Sequence, residues 1–248
     1  MTVAIIGFIV VLVLVLLRMP IAIAMGMVGV IGFAQETTLK AAISMAGRLI
    51  IDTAQDYGLS VVPLFILMGL FVNKGGLSRE LYRVSYVFLG NFKGGLAMAT
   101  IVACGGFSAI CGSSLATAAT MSKVAMPEMR KYGYSDELST ASIAAGGTLG
   151  ILIPPSVILV IYGLLTETSI GKLFIAGVIP GAIGILFYLV AVRYTVIRNA
   201  SAGPAGEVSS WKERFIALKN VWAVSVLFIL VIGGLYGLFN FWPINLTF

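Results

Sequence analysis

The sequence has no histidine and few charged residues. Of its 248 residues 10% are charged and 59% are hydrophobic, whereas an average soluble domain has roughly 25% charged residues. Without histidine there are no imidazole bases, Ser-His or Cys-His nucleophile pairs, or histidine-ligated metals. Charged side chains are too few to cover the surface of a water-soluble globule. Most of the surface must therefore face lipid. The composition excludes a soluble enzyme, a nucleic-acid-binding module and a disordered linker, despite the net charge of +6.

Cysteine is also scarce, with only Cys104 and Cys111. Seven residues of helical rise would separate their Cα atoms by about 10 Å, which is too far for a disulfide. We interpret both as small apolar packing residues rather than as redox or zinc-binding groups.

Apolar runs separated by charged loops predict a polytopic helical protein. Residues 2–17 and 21–34 predict a helical hairpin that turns at Arg18-Met19-Pro20. A cleaved signal peptide would need positive charge before its apolar core and a polar sequence after it, and neither is present here. Residues 36–58 mix charged and apolar positions, which is typical of an amphipathic interfacial helix. The remaining apolar runs are 59–72, 94–127, 138–165, 173–192 and 221–239, with a polar linker at 198–210 and an amphipathic piece at 211–219.

The basic residues indicate the orientation, because cytoplasmic loops carry an excess of Lys and Arg. Of the 16 basic residues, only Lys40, Arg48 and Lys172 fall outside four loops predicted to share one side. The others are Arg18, Lys74, Arg79, Arg83, Lys93, Lys123, Arg130, Lys131, Arg193, Arg198, Lys212, Arg214 and Lys219. We expect that side to be cytoplasmic and both chain termini to face outward.

Residues 94–127 begin and end on this same basic side. At 34 residues the run is too short for two full spans of about 20 residues each. It predicts a re-entrant hairpin whose two half-helices meet near 111–114. One over-long tilted helix is the alternative.

Two places in the chain predict irregular backbone at membrane depth, which survives only where it is buried in protein or lines a wet cavity. At the hairpin tip, Ser113 and Ser114 precede the outgoing half-helix, whose free amides favour an anion such as a carboxylate. In the run 138–165, Pro154 and Pro155 remove two amide donors. Freed carbonyls near Gly150 then suit a small hard cation. The simpler alternatives are a close-packed small-residue surface and a mere kink.

Three blocks of sequence resemble the large membrane subunit, DctM, of tripartite ATP-independent periplasmic (TRAP) transporters. They are GGFSAICGSSLAT at 105–117, MPEMRKYGY at 126–134 and AGGTLGILIPPS at 145–156. The match also covers RMPIA at 18–22 and residues 171–180, and it runs from the start of the chain to about residue 237.

The resemblance implies a bacterial inner-membrane, multi-pass, all-α transporter that is not an enzyme. It implies sodium-driven uptake of organic acids, such as C4-dicarboxylates or sialic acid, by an elevator mechanism. The implied partners are a periplasmic substrate-binding protein and a small four-helix membrane subunit. Residues 1–93 would form scaffold helices and an amphipathic arm, 94–165 the transport core, and 166–248 further scaffold helices.

Within that frame we expect sodium, the only coupling ion or cofactor, to bind Ser108, Ser113, Thr148, Gly150 and Ile153. The substrate carboxylate is expected between Ser113-Ser114 and Pro155-Ser156. Proton coupling is disfavoured, because a relay needs a mid-span carboxylate. The acids nearest the core fall instead in surface loops, at Glu128, Asp136, Glu137 and Glu167.

The family continues beyond the point that residues 233–236 match, with a second, inverted repeat. We therefore expect a truncated product or fragment that does not transport alone, and a non-transporting remnant or scaffold is the alternative function. An intramembrane serine enzyme, with Ser113 or Ser114 as nucleophile and Lys123 as base, is the remote alternative.

Overall fold

The computed structural model describes residues 2–55, 57–206 and 208–235, and these form α-helices joined by short turns. The helices are α1 (Thr2–Leu16), α2 (Ile21–Glu36), α3 (Leu39–Gln55), α4 (Tyr57–Lys74), α5 (Leu77–Leu89), α6 (Gly95–Cys111), α7 (Ser114–Lys131), α8 (Asp136–Thr148), α9 (Val157–Leu165), α10 (Ile170–Arg198), α11 (Trp211–Asn220) and α12 (Trp222–Leu235). The all-helical architecture agrees with the predicted fold class.

The chain divides into two compact units, residues 1–60 and 61–248. In the first unit, α1 and α2 form the predicted hairpin, and Arg18 turns the chain with a φ of 67°. Helix α2 packs against both α1 and α3. Ala24 of α2 and Ala42 of α3 are almost completely buried. The division into segments 1–93, 94–165 and 166–248 stays a prediction.

The second unit is built around α6, which is buried along nearly its whole length. Its small residues allow neighbouring helices to approach closely, as expected where membrane helices pack. A Cβ added to Gly146 of α8 would lie 2.8 Å from the Cys104 sulfur, and one added to Gly105 would lie 2.8 Å from Ile185. Cys104 and Cys111 are both free and buried, as the packing interpretation predicts.

The two ends of the α6–α7 hairpin lie together. The amide of Gly94 donates to the carbonyl of Gly203 at 2.9 Å, and the amide of Ser135 donates to the carbonyl of Ala202 at 3.0 Å. Residues 94–131 therefore form an antiparallel pair rather than one long helix. Part of the predicted linker at 198–210 therefore packs against the loops that precede α6 and follow α7, and Ala202 is buried there.

Two boundaries differ from the sequence predictions. The sequence predicts a loop over the basic stretch 74–93, yet 77–89 forms α5, which buries Ser78, Tyr82 and Ser85 on one face. Helix α7 continues to Lys131, beyond the predicted end at 127. In both cases the basic residues lie on an exposed face, so they do not end the helix. The predicted run 221–239 is described only to Leu235.

Within the described residues, α10 is the helix that is long and apolar enough to cross a membrane, with 29 residues. Helices α1, α2 and α6 are also apolar but shorter, at 15, 16 and 17 residues.

Candidate functional site

The first half of the site is the junction between α6 and α7. Gly112 ends α6 with a φ of +61°, a conformation that favours glycine. Its amide donates to the carbonyl of Ser108 at 2.9 Å. Ser113 then caps α7, because its hydroxyl accepts from the amide of Ala116 at 3.4 Å. The sequence therefore ends one helix and starts the next within two residues.

The second half is the interruption between α8 and α9. A 3₁₀ turn at Leu149–Ile151 follows α8, and the next helix starts at Val157. Pro154 has no N–H to donate to the carbonyl of Gly150, which would be its helical partner. Pro155 likewise cannot donate to the carbonyl of Ile151, which was expected to be unpaired. The Ser156 hydroxyl donates to that carbonyl instead, at 3.0 Å.

These two interruptions lie directly against each other. A Cβ built on Gly150 would lie 2.8 Å from the carbonyl carbon of Ser113 and 2.8 Å from the amide nitrogen of Ser114. On the other side, the amide of Val157 donates to the carbonyl of Gly112 at 3.3 Å. The backbones touch with no side chain between them, which is possible only because both contact positions are glycine.

The meeting point gathers four helix ends. Helices α7 and α9 begin there, at Ser114 and Val157, while α6 and the turn at Leu149–Ile151 end there. Helix N-termini present free amides and positive potential, and C-termini present free carbonyls and negative potential. The junction therefore brings positive and negative potential together, with the Val157 amide and the Gly112 carbonyl already bonded to each other.

The predicted sodium ligands are only partly brought together. Gly150 lies against Ser113, while Ser108 is completely buried one turn before the junction. Thr148 lies on an exposed face, where its hydroxyl contacts the hydroxyl of Tyr188 at 3.0 Å. The Ile153 side chain packs on α10, 2.7 Å from a Cβ added to Gly181.

The predicted substrate residues form the two sides of this contact. Ser113 and Ser114 are half-buried, whereas Pro155 and Ser156 are buried. A Cβ on Gly112 would lie 2.9 Å from the carbonyl oxygen of Pro155, so the two sides touch in this conformation. Both residue sets remain predictions.

Thr117 is a further polar residue of the site that the sequence analysis did not select. It is completely buried, and its hydroxyl donates to the carbonyl of Ser113 at 2.8 Å. The same hydroxyl lies 3.5 Å from that of Ser108. Its spacing of four residues from Ser113, which places both on one helix face, was the signal available in the sequence.

Lys123 does not lie at the junction. Nine residues of helix separate it from Ser114, which corresponds to about 13 Å of rise. It lines a cavity between α5 and α7 instead. A lysine base for Ser114 therefore has no geometric support.

The family model for the DctM component of tripartite ATP-independent periplasmic transporters matches residues 8–245. The C4-dicarboxylate TRAP transporter large permease protein DctM of Vibrio cholerae is 36% identical over 93% of this chain and 50% of its own length. The ectoine TRAP transporter large permease protein TeaC of Halomonas elongata is 34% identical over 90% of this chain and 52% of its own length. The sialic acid TRAP transporter permease protein SiaT of Haemophilus influenzae is 33% identical over 80% of this chain and 32% of its own length.

The chain thus spans about half the length of the first two of these relatives. These three relatives carry transporter names rather than enzyme names, and the family model covers most of the chain, including both interruptions. The chain therefore belongs to the DctM family of TRAP transporter membrane components.

Proposed function

We propose that this chain contributes to a large permease subunit that takes up small organic acids across the bacterial inner membrane, driven by sodium. The observation that carries the proposal is the contact between Gly150 and the Ser113-Ser114 backbone, which joins the two helix interruptions into one site. Two discontinuous helices that meet in this way are typical of secondary transporters.

The polarity of the four helix ends supports binding of both ligands. The positive potential at the starts of α7 and α9 favours a carboxylate by about 0.3–2 kcal/mol at each helix end. To bind it, the Val157 amide would have to release the carbonyl of Gly112. Hydroxyl and carbonyl oxygens from Ser108, Ser113, Thr148, Gly150 and Ile153 are the ligands a sodium ion would use. Because the Thr148 hydroxyl contacts Tyr188 of α10, it would have to turn toward the junction to join such a site.

The hairpin geometry supports the re-entrant arrangement. Both ends of the α6–α7 pair bond to residues 202–203, so the pair enters and leaves on one side. Lys93, before α6, and Arg130 and Lys131, in the last turn of α7, lie at that end, which the positive-inside rule makes cytoplasmic. In the proposed elevator cycle, this hairpin and the α8–α9 segment move together as the transport core.

The names of the relatives indicate a range of small substrates rather than one compound. C4-dicarboxylate and sialic acid appear in the names of relatives, as do ectoine and isethionate. An organic acid fits the paired helix N-termini, and we propose it for this chain. A small membrane subunit and a periplasmic binding protein are the proposed partners.

The test is sodium-driven uptake in cells that produce the chain with the other components of its transporter. Labelled succinate and sialic acid are supplied with an inward sodium gradient or with potassium at equal ionic strength. We expect uptake of at least one acid with sodium only. Equal uptake in potassium would contradict sodium coupling, and binding without uptake would favour the scaffold alternative. The serine-enzyme alternative predicts labelling of Ser113 or Ser114 by a reactive phosphonate, and we expect none.

A further inference from the structure

A basic cleft lies between α5 and α7, away from the junction. It consists of two adjoining cavities of about 380 and 460 Å³ that share Arg79, Lys123 and Val124. Its charged lining residues are Lys74, Arg79, Arg83, Lys123 and Glu128. Four cations thus face one carboxylate.

In the part of the chain that the structure describes, none of these cations forms an ion pair with an acidic side chain. Among residues 2–55, 57–206 and 208–235, the ion pair found is Arg130–Asp136, which lies outside the cleft. Arg79 and Arg83 are four residues apart on α5, a spacing at which like charges on a helix repel. Such an arrangement is relieved when an anion binds between them.

The arginines provide donors with a defined geometry. Guanidinium groups present a planar fork of donors that matches phosphate oxygens. The donor set of two arginines and two lysines therefore suits a phosphate group better than a single carboxylate.

Apolar side chains beside the cleft distinguish a lipid from a soluble phosphate. Leu70 and Phe71, one turn before Lys74, are 55% and 68% exposed, and Leu115, next to the lining residue Ala116, is 82% exposed. An anion that also carries acyl chains would cover these side chains. Free phosphate has no apolar part and would gain nothing from them.

We infer that the basic cleft between α5 and α7 binds the phosphate headgroup of an anionic phospholipid, whose acyl chains lie along Leu70, Phe71 and Leu115. Basic pockets between membrane helices on the cytoplasmic side are known to bind such headgroups. The cleft lies among the basic loops assigned to that side.

The first experiment measures lipid binding to the purified chain in a neutral detergent by native mass spectrometry. Phosphatidylglycerol is compared with phosphatidylcholine, and inorganic phosphate is added as a competitor. The test variant is Arg79→Gln with Lys123→Gln. The control is Lys212→Gln, an exposed lysine on the same basic side that does not line the cleft.

We expect phosphatidylglycerol to bind in preference to phosphatidylcholine and millimolar phosphate not to displace it. The double variant should bind at least about tenfold more weakly, and Lys212→Gln should bind as the unmodified chain does. Unchanged binding in the double variant would overturn the inference. Full displacement by phosphate would assign the cleft to a soluble anion and would overturn it equally.

A second measurement does not depend on the folding of a variant. Photoactivatable phosphatidylglycerol is cross-linked to the unmodified chain in membranes, and the labelled peptides are identified. Labels confined to the segments around 70–83 and 115–124 are expected, and labels confined to other helices would contradict the assignment.

Discussion

Gly150→Ala is the substitution that should affect the junction most directly. The new Cβ would lie 2.8 Å from two backbone atoms of Ser113 and Ser114, whereas ordinary contact begins at 3.4 Å. One backbone must therefore move by about 0.6 Å, the difference between these distances. Backbone atoms of a capped helix start cannot rotate away as a flexible side chain would.

We expect this overpacking to cost about 1–3 kcal/mol of folding free energy. For a chain of 150–250 residues, that corresponds to a loss of about 2–12 °C in Tm. The control is Gly47→Ala in α3, where an added Cβ meets no atom within 4 Å. There the substitution should raise stability by about 0.4–1 kcal/mol, because alanine favours the helix.

The assay is thermal unfolding of the purified chain in detergent, with the two variants measured side by side. Because Gly150 does not have a positive φ, alanine strains no backbone angle, so a lower Tm reports the contact with Ser113 and Ser114. If Gly150→Ala raised the Tm as much as Gly47→Ala does, the reasoning would be refuted, since Gly150 could not then lie against that backbone.

Three further outcomes are expected. Ser113→Ala should weaken the sodium dependence of uptake by about 1–3 kcal/mol, whereas Ser113→Thr should largely retain it. As the control, Ser122→Ala, at an exposed serine, should leave it unchanged. An unchanged sodium affinity in Ser113→Ala would count against the site. The hydrogen bond from Arg130, 2.8 Å away, lowers the pKa of Asp136 below its ordinary value. The Tm difference between the unmodified chain and Asp136→Asn should therefore be full above about pH 5 and disappear as the pH falls below about 4; a difference that grows with acidity would be inconsistent with this pair. A single cysteine at Lys93, with the native cysteines removed, should react with a membrane-impermeant maleimide from the cytoplasmic side only, and labelling from outside would require a different topology.

The sequence was sufficient to locate both interruptions, because backbone chemistry determines them. Pro154 and Pro155 cannot continue a helix. Gly112 ends α6, and Ser113, which follows it, caps the start of α7. The apolar runs likewise predicted the helices, because a 3.6-residue repeat is not needed where nearly every position is apolar.

The contacts between the interruptions could not be predicted in the same way. The approach of Gly150 to Ser113 and the pairing of Val157 with Gly112 join residues about 40 positions apart, and nothing local in the chain encodes them. The sequence does not predict helix α5, because its basic residues Arg79 and Arg83 lie on an exposed face, and a linear count of basic residues interprets such a stretch as a loop.

The most direct test of one shared site for sodium and organic acid is their mutual effect on binding. Sodium is titrated with and without saturating succinate, and succinate with and without saturating sodium, in the transporter that contains this chain. Because binding linkage is reciprocal, a shared site with opposite charges predicts that each ligand tightens the other by the same factor, larger than one. A sodium affinity that does not change when succinate saturates the protein would contradict the account.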